Sequence, residues 1–277
     1  MAERAIIGLT DWLRTPAGGY VLQWEQTHLD AAVVDLFGFH ALQLGLPELE
    51  ALRANRMPHR WVATDERDAP SDARLDGDDG AAAPPRAAIA LHCDFDALPF
   101  DSSSLDLVVL PHALEFARDP HLALREVERV LVPEGRVVVV GFNPSSLWGL
   151  RQFAGHVWRR LLMRKGTALF LPGAGEFMRY RRLRDWLRLL SFEVESGRFG
   201  CYRPPVASSR WLARYDWMER AGERWWPVFG AVYFVVAVKR VRGMRLVGLV
   251  REQRKAAHAP APVVAAHHHI DSKDASS

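Results

Sequence analysis

From Tyr20 onward apolar residues recur at helical spacing (Tyr20, Val21, Leu22 and Trp24, then Leu29, Ala32, Val33 and Leu36), which predicts an amphipathic helix over 20–37 that closes at Gly38. Phe39 to Leu44 is a short apolar run, a strand stopped by Gly45-Leu46-Pro47. Pro47-Glu48-Leu49-Glu50 then reads as a helix start, because proline fits a first turn and carboxylates suit the positive end of the helix dipole. Arg60 to Thr64, Ala87 to His92 and Leu105 to Leu110 read as three further strands. Pro120 to Leu131 places Leu122, Val127, Val130 and Leu131 on one side and predicts a helix. Arg136 to Val140 is an uninterrupted β-branched run, the pattern of a strand covered on both faces. Helical stretches follow from about Ser146 to Arg164 and from Phe177 to Leu190, then strands at Phe192–Glu195 and Ala231–Lys239. Strands alternating with helices predict an α/β, doubly wound sheet with its ligand crevice at the carboxyl ends of the strands.

Composition alters this picture in two places. Residues 66–86 are acidic and almost free of large apolar side chains, which predicts a solvated, flexible loop. Residues 241–277 end in an Ala/Pro/His/Ser-rich tail expected to be mostly disordered, and His267-His268-His269 within it is read as incidental metal affinity rather than a metal site. Residues 1–240 are therefore expected to form a single domain. No run of 18 apolar residues occurs, and Met1 to Gly19 lacks the layout of a signal peptide, so a cytoplasmic location is expected. Cys93 and Cys201 provide neither a disulfide framework nor a metal cluster. The net charge of +3 is too small to indicate nucleic acid by itself.

One segment carries a more specific pattern. It runs through Leu98-Pro99-Phe100-Asp101, Leu105-Asp106-Leu107-Val108-Val109, His112-Ala113-Leu114-Glu115 and Asp119-Pro120, then Leu124-Arg125-Glu126 and Arg129-Val130-Leu131-Val132-Pro133-Glu134-Gly135. This resembles the second half of the class I S-adenosylmethionine (SAM)-dependent methyltransferases of the type 11 group, related to the ubiquinone and menaquinone biosynthesis enzymes. A fainter likeness lies upstream, where Trp12-Leu13, Thr15-Pro16-Ala17-Gly18, Tyr20 and Glu25 are similar to the helix before the first strand. The resemblance implies a Rossmann-like, mostly parallel seven-stranded sheet with an antiparallel final hairpin. It also implies SAM as cofactor and catalysis mainly by positioning.

Carried over position by position, the resemblance places the glycine turn on Gln43-Leu44-Gly45-Leu46-Pro47 and the ribose-binding acid on Asp65. The adenine-side acid falls on Asp94 with Phe95 beside it, and Leu110, Pro111 and His112 would line the methyl-transfer end. The chain departs from the pattern at Gln43, where the family has an acid, and at Pro47, which replaces the second glycine and removes a backbone donor. The acidic loop also replaces the helix expected after the second strand.

His112 has a side chain suited to base chemistry near neutral pH, with helix-start packing as its structural reading. Asp106 reads as structural, at a strand start. Residues 146–190 read as a basic helical insertion, with Arg151, Arg159, Arg160, Arg164, Lys165, Arg179, Arg181, Arg182, Arg184 and Arg188 against Glu176 and Asp185. As a lid it would suit an anionic partner: a small molecule, a nucleic acid or an anionic membrane face. As a plain solvated helix pair it would bind nothing. The expected activity is thus SAM-dependent methylation of an acceptor, with anionic chemistry indicated. The alternative is a methyltransferase-fold binding or regulatory protein that has lost catalysis and holds a partner with its basic helices.

Overall fold

The computed structural model describes residues 5–65, 89–161, 170–172 and 177–240. The acidic stretch and the tail fall outside the described residues. Two helices precede the sheet, α1 (Ala5–Leu13) and α2 (Pro16–Val33). Helix α2 begins before Tyr20 because the Thr15 hydroxyl accepts from the Gly18 N–H and Pro16 fills the first turn. Gly18 hides this start in the apolar pattern, yet it is required there: a Cβ would lie 2.3 Å from the Trp12 carbonyl oxygen, where α1 and α2 touch.

The strands are β1 (His40–Leu44), β2 (His59–Thr64), β3 (Leu91–His92), β4 (Leu105–Pro111), β5 (Leu131–Phe142), β6 (Phe192–Gly200) and β7 (Val232–Lys239). They form one sheet in the order β3-β2-β1-β4-β5-β7-β6. The first five are parallel, and β7 is antiparallel to both β5 and β6. The order reverses beside β1 and β4, which places a crevice above Leu44 and Pro111.

In β5, Val138 and Val140 face one layer while Val137 and Val139 face the other. The first layer holds α1, α2 and Trp148 of α5 (Leu147–Leu161). The second holds α4 (Pro120–Val130), which follows the short α3 (Ala113–Phe116), and also α6 (Tyr180–Leu189). Burial on both faces is why this strand reads as unbroken valine.

The chemistry of the Leu98–Gly135 motif is largely structural. Arg129 donates to the carbonyls of Leu98 and Phe100, both at 2.9 Å, and Glu126 accepts from the Leu98 N–H. The pair latches the loop after β3 onto α4. Asp106 accepts from the N–H groups of Phe39 and His40 at 2.8 and 2.9 Å, tying the start of β1 to β4, as its position suggested.

Three features differ from the sequence reading. No helix follows Pro47; residues 46–54 form short turns instead. Between β6 and β7 lie two helices that were not expected, α7 (Ser209–Arg214) and α8 (Trp217–Trp225), so the final antiparallel pair is not a simple hairpin. Helix α6 is a layer helix rather than a lid: Leu183 and Leu187 are buried in the core, while Arg179, Arg181, Arg182 and Arg188 are exposed.

Candidate functional site

The carboxyl ends of β1, β2, β3 and β4 bring most of the sequence-predicted site residues to one crevice. Gly45 leaves β1 with φ +79°, and Leu46 follows at +44°, so the chain turns sharply through two left-handed residues. A Cβ placed on Gly45 would meet Ala113 Cβ at 3.6 Å and the Phe95 ring at 3.7 Å. The loops after β1, β3 and β4 thus touch at this glycine. Asp65 is buried at the end of β2, and Asp94 is half-buried after β3. Among the described residues no hydrogen bond is made to the Asp94 carboxylate, which leaves it able to accept one. Leu110 and Pro111 are buried and form the floor beneath His112.

Gln43 has a different task from the one its place in the motif implies. Its amide nitrogen donates to the carbonyls of Gly45, Leu46 and Leu49 at 3.1, 2.9 and 2.7 Å, and its Oε1 accepts from the Ala51 N–H at 3.0 Å. The side chain is fully buried and all of its polar atoms serve the loop. This explains the missing helix after Pro47. The Leu46 and Leu49 carbonyls, which a helix would direct to N–H groups four residues on, are held by the glutamine instead.

At the end of β4, His112 sits in the left-handed region (φ 55°) and turns its ring inward. Nε2 lies 2.8 Å from Glu25 of α2, and Nδ1 lies 2.9 Å from Glu115 of α3. All three side chains are buried. Glu115 also accepts from the Phe142 N–H at the end of β5. Burial by itself would lower the basicity of His112, but the two carboxylates outweigh it and push its pKa up to about 10. Burial raises the pKa of Glu115, against the pull of His112. Among the described residues Glu25 Oε2 has no hydrogen-bond partner.

An imidazole that stays protonated at neutral pH, with both nitrogens engaged, has no lone pair with which to take a proton. Both ring nitrogens of His112 face carboxylates here, and the cluster ties α2 to the ends of β4 and β5. The sequence did carry a sign of the cluster. Glu25 lies between Val21, Trp24 and Leu29 on the buried face of α2, where an acid needs a partner.

Beside this cluster, past Phe142, a cleft of about 980 Å³ opens between the start of α5, the segment around Phe177 and α8. Phe142 stacks near His112 (4.3 Å between ring centres) and meets Phe177 edge-on (5.5 Å), so the two rings separate the cleft from the buried charges. The cleft is lined mainly by apolar groups such as Leu150, Phe153, Tyr202 and Trp226, and among the described residues Arg179 is the one charged side chain in its lining.

The sheet order and the crevice at Gly45 acquire a meaning from similarity. Residues 68–139 match the family described as methyltransferase domain. A SAM-dependent methyltransferase from Thermotoga maritima shares the fold, with a TM-score of 0.52 and 15% identity over 86% of this chain and 97% of that one. This chain carries a class I methyltransferase fold. Among curated proteins the chain is 32% identical to the uncharacterized protein YafS of Escherichia coli K12 over 161 residues, 57% of this chain and 58% of YafS. It is 45% identical to a malonyl-[acyl-carrier protein] O-methyltransferase of Halorhodospira halophila over 58 residues, 21% of this chain and 20% of that enzyme. The chain thus spans about half the length of the first relative and a fifth of the second.

Proposed function

We propose that this chain binds SAM in the crevice above β1 and β4 and transfers its methyl group to an acceptor held in the neighbouring cleft. The observation that carries the reading is the meeting of three strand-end loops at Gly45, with an unengaged carboxylate, Asp94, beside it. When bound, SAM would supply an electrophilic methyl group. Asp94 would accept from the adenine amino group and Asp65 from the ribose hydroxyls. Phe95 would lie along the nucleoside, and Leu110 and Pro111 would support the transfer end. Gln43 acts one step removed, by fixing the shape of the turn. The residues fit the nucleoside half of the cofactor, provided that the Phe95 ring turns off Gly45 to admit it.

With His112 protonated and occupied, the chain's own contribution is placement: it holds the acceptor nucleophile in line and keeps water out. The cleft lining favours a largely apolar acceptor with, at most, one anionic group facing Arg179. Among the described residues no cluster of arginines lines the cleft to receive a wholly anionic acceptor or a nucleic acid.

The second reading, a non-catalytic member of the fold that holds a partner, draws on the locked Gln43 turn and the lack of a helix after β1. The two separate in one experiment, titration of SAM into wild-type protein and an Asp94→Asn variant. Loss of a charged hydrogen bond should weaken binding about tenfold or more. Equal affinity in both proteins removes Asp94 from the site, and binding by neither favours the partner-holding reading.

A further inference from the structure

The end of α8 and the short loop after it do what folded chains avoid. In Trp225-Trp226-Pro227-Val228-Phe229, Trp225 is 71% exposed and Trp226, Val228 and Phe229 are each just over half exposed. Nothing in the described core requires these side chains outside, and a run of large apolar residues in solvent carries a solubility cost that a bound state must offset. The opposite lip of the cleft repeats the pattern. On α5, Leu147, Leu150, Phe153, Val157 and Trp158 are exposed, with Phe153 at 66% and Trp158 at 67%. Their spacing places them on the outward arc of the helix, away from the buried Trp148 and Gln152. Leu150, Phe153, Trp226 and Phe229 also line the same cleft, so both lips belong to one continuous face.

The charge on this face has one dominant sign. The sequence of α5 has three arginines and no carboxylate, and around α7 and α8 the exposed Arg210, Arg214, Arg220 and Arg224 outnumber the exposed Asp216 and Glu223. Tryptophans set among arginines, on a helix side and a loop tip, are the composition of a surface that seats at the boundary between headgroups and acyl chains. A protein-binding patch differs, since its core is depleted in charge and flat enough to exclude water.

We propose that the face formed by α5 and the Trp225–Phe229 loop docks on an anionic lipid bilayer, so that the mouth of the cleft opens at the membrane surface. The loop and the α5 side chains enter the interface while the arginines meet phosphate headgroups. This attachment is peripheral, and among the described residues no helix is long and apolar enough to cross a membrane. The proposal goes beyond the methyl-transfer reading and does not depend on it, because docking needs no cofactor.

The test is flotation of the full chain with vesicles of phosphatidylcholine alone and of phosphatidylcholine mixed with phosphatidylglycerol, without SAM. Binding to the mixed vesicles that falls steeply with added salt is expected. The double variant Trp225→Ser/Trp226→Ser should lose affinity by about tenfold per tryptophan, and Phe153→Ser should weaken it as well. Because these side chains are over half exposed, each variant should melt at the wild-type temperature. Phe37→Ser is the control: Phe37 is 76% exposed and lies just before β1, at the amino end of the strand, so its loss should leave flotation unchanged.

Absence of flotation with either vesicle would overturn the proposal. So would equal flotation of the double variant, or a loss in Phe37→Ser as large as that in the double variant. A self-associated form in which the tryptophans are buried against a second copy would overturn it too.

Discussion

Replacing Glu25 with glutamine tests the buried charge cluster with almost no change of shape. Glutamine Oε1 can still accept from His112 Nε2, so the hydrogen bond survives while the charge attraction is lost. In the wild type the two carboxylates hold His112 at a pKa of about 10 against an ordinary value of 6.5, a preference for the protonated form of at most roughly 5 kcal/mol. Glu25 is one of two contributors, so its share is about 2 kcal/mol. The new amide N–H₂ points where Glu25 Oε2 already lacks a partner, and a buried unsatisfied donor adds about 1–2 kcal/mol. Glu25→Gln should therefore cost about 3 kcal/mol near pH 7, within the range for removing one partner of a buried ion pair.

The pH dependence distinguishes this from simple misfit. A histidine whose folded pKa is raised contributes stability that is complete below its unfolded value near 6.5 and is lost as pH rises through about 10. The raised carboxyl of Glu115 acts in the same direction from the ordinary carboxylate range upward, since the folded state again holds the extra proton. Wild-type stability should then decline between pH 6.5 and 10, and the variant, with less to lose, should decline less. Urea melts at intervals across that window measure both slopes. A difference between the two proteins that stays constant from pH 6.5 to 10 would refute the reasoning, whatever its size.

Gln43→Leu should destabilise the chain by about 3 kcal/mol in chemical denaturation, because it strips partners from three carbonyls and one N–H of a buried loop. Amide exchange at Ala51 should accelerate with it; unchanged protection would show that the loop holds its shape without the glutamine. Asp106→Ala should cost about 1–2 kcal/mol by freeing the Phe39 and His40 N–H groups, and should leave SAM affinity at the wild-type value, since those groups lie at the amino end of β1. A change in affinity would show that the strand start is coupled to the crevice.

The sheet was legible wherever burial dictated composition. The valine run of β5 follows from the covering of both its faces, and Arg129 and Glu126 in the Leu98–Gly135 motif latch the loop after β3. Features set by contacts distant in sequence were not legible. Pro47 has every local sign of a helix start, but the Gln43 side chain claims the carbonyls that a helix would need. The start of α2 was masked by a glycine that helix contact demands, and α7 and α8 are too short and too rich in arginine and tryptophan to show a clear period.

In the candidate site, the grouping of Gly45, Asp65, Asp94, Phe95, Leu110 and Pro111 at one crevice was legible by position, since a parallel sheet gathers the ends of its strands. The His112 cluster was not. The third member of that group comes from a helix 87 residues away in sequence, and only its packing shows that both ring nitrogens are engaged by carboxylates.

The most direct test of the central claim, that the crevice at Gly45 admits SAM, is calorimetric titration of S-adenosylmethionine into the full chain. A saturable heat is predicted, with a dissociation constant in the micromolar to sub-millimolar range (about −5 to −8 kcal/mol), displaced by S-adenosylhomocysteine. No heat at millimolar cofactor, from protein that melts cooperatively, would contradict it and leave Phe95 as the permanent occupant of the space above the glycine.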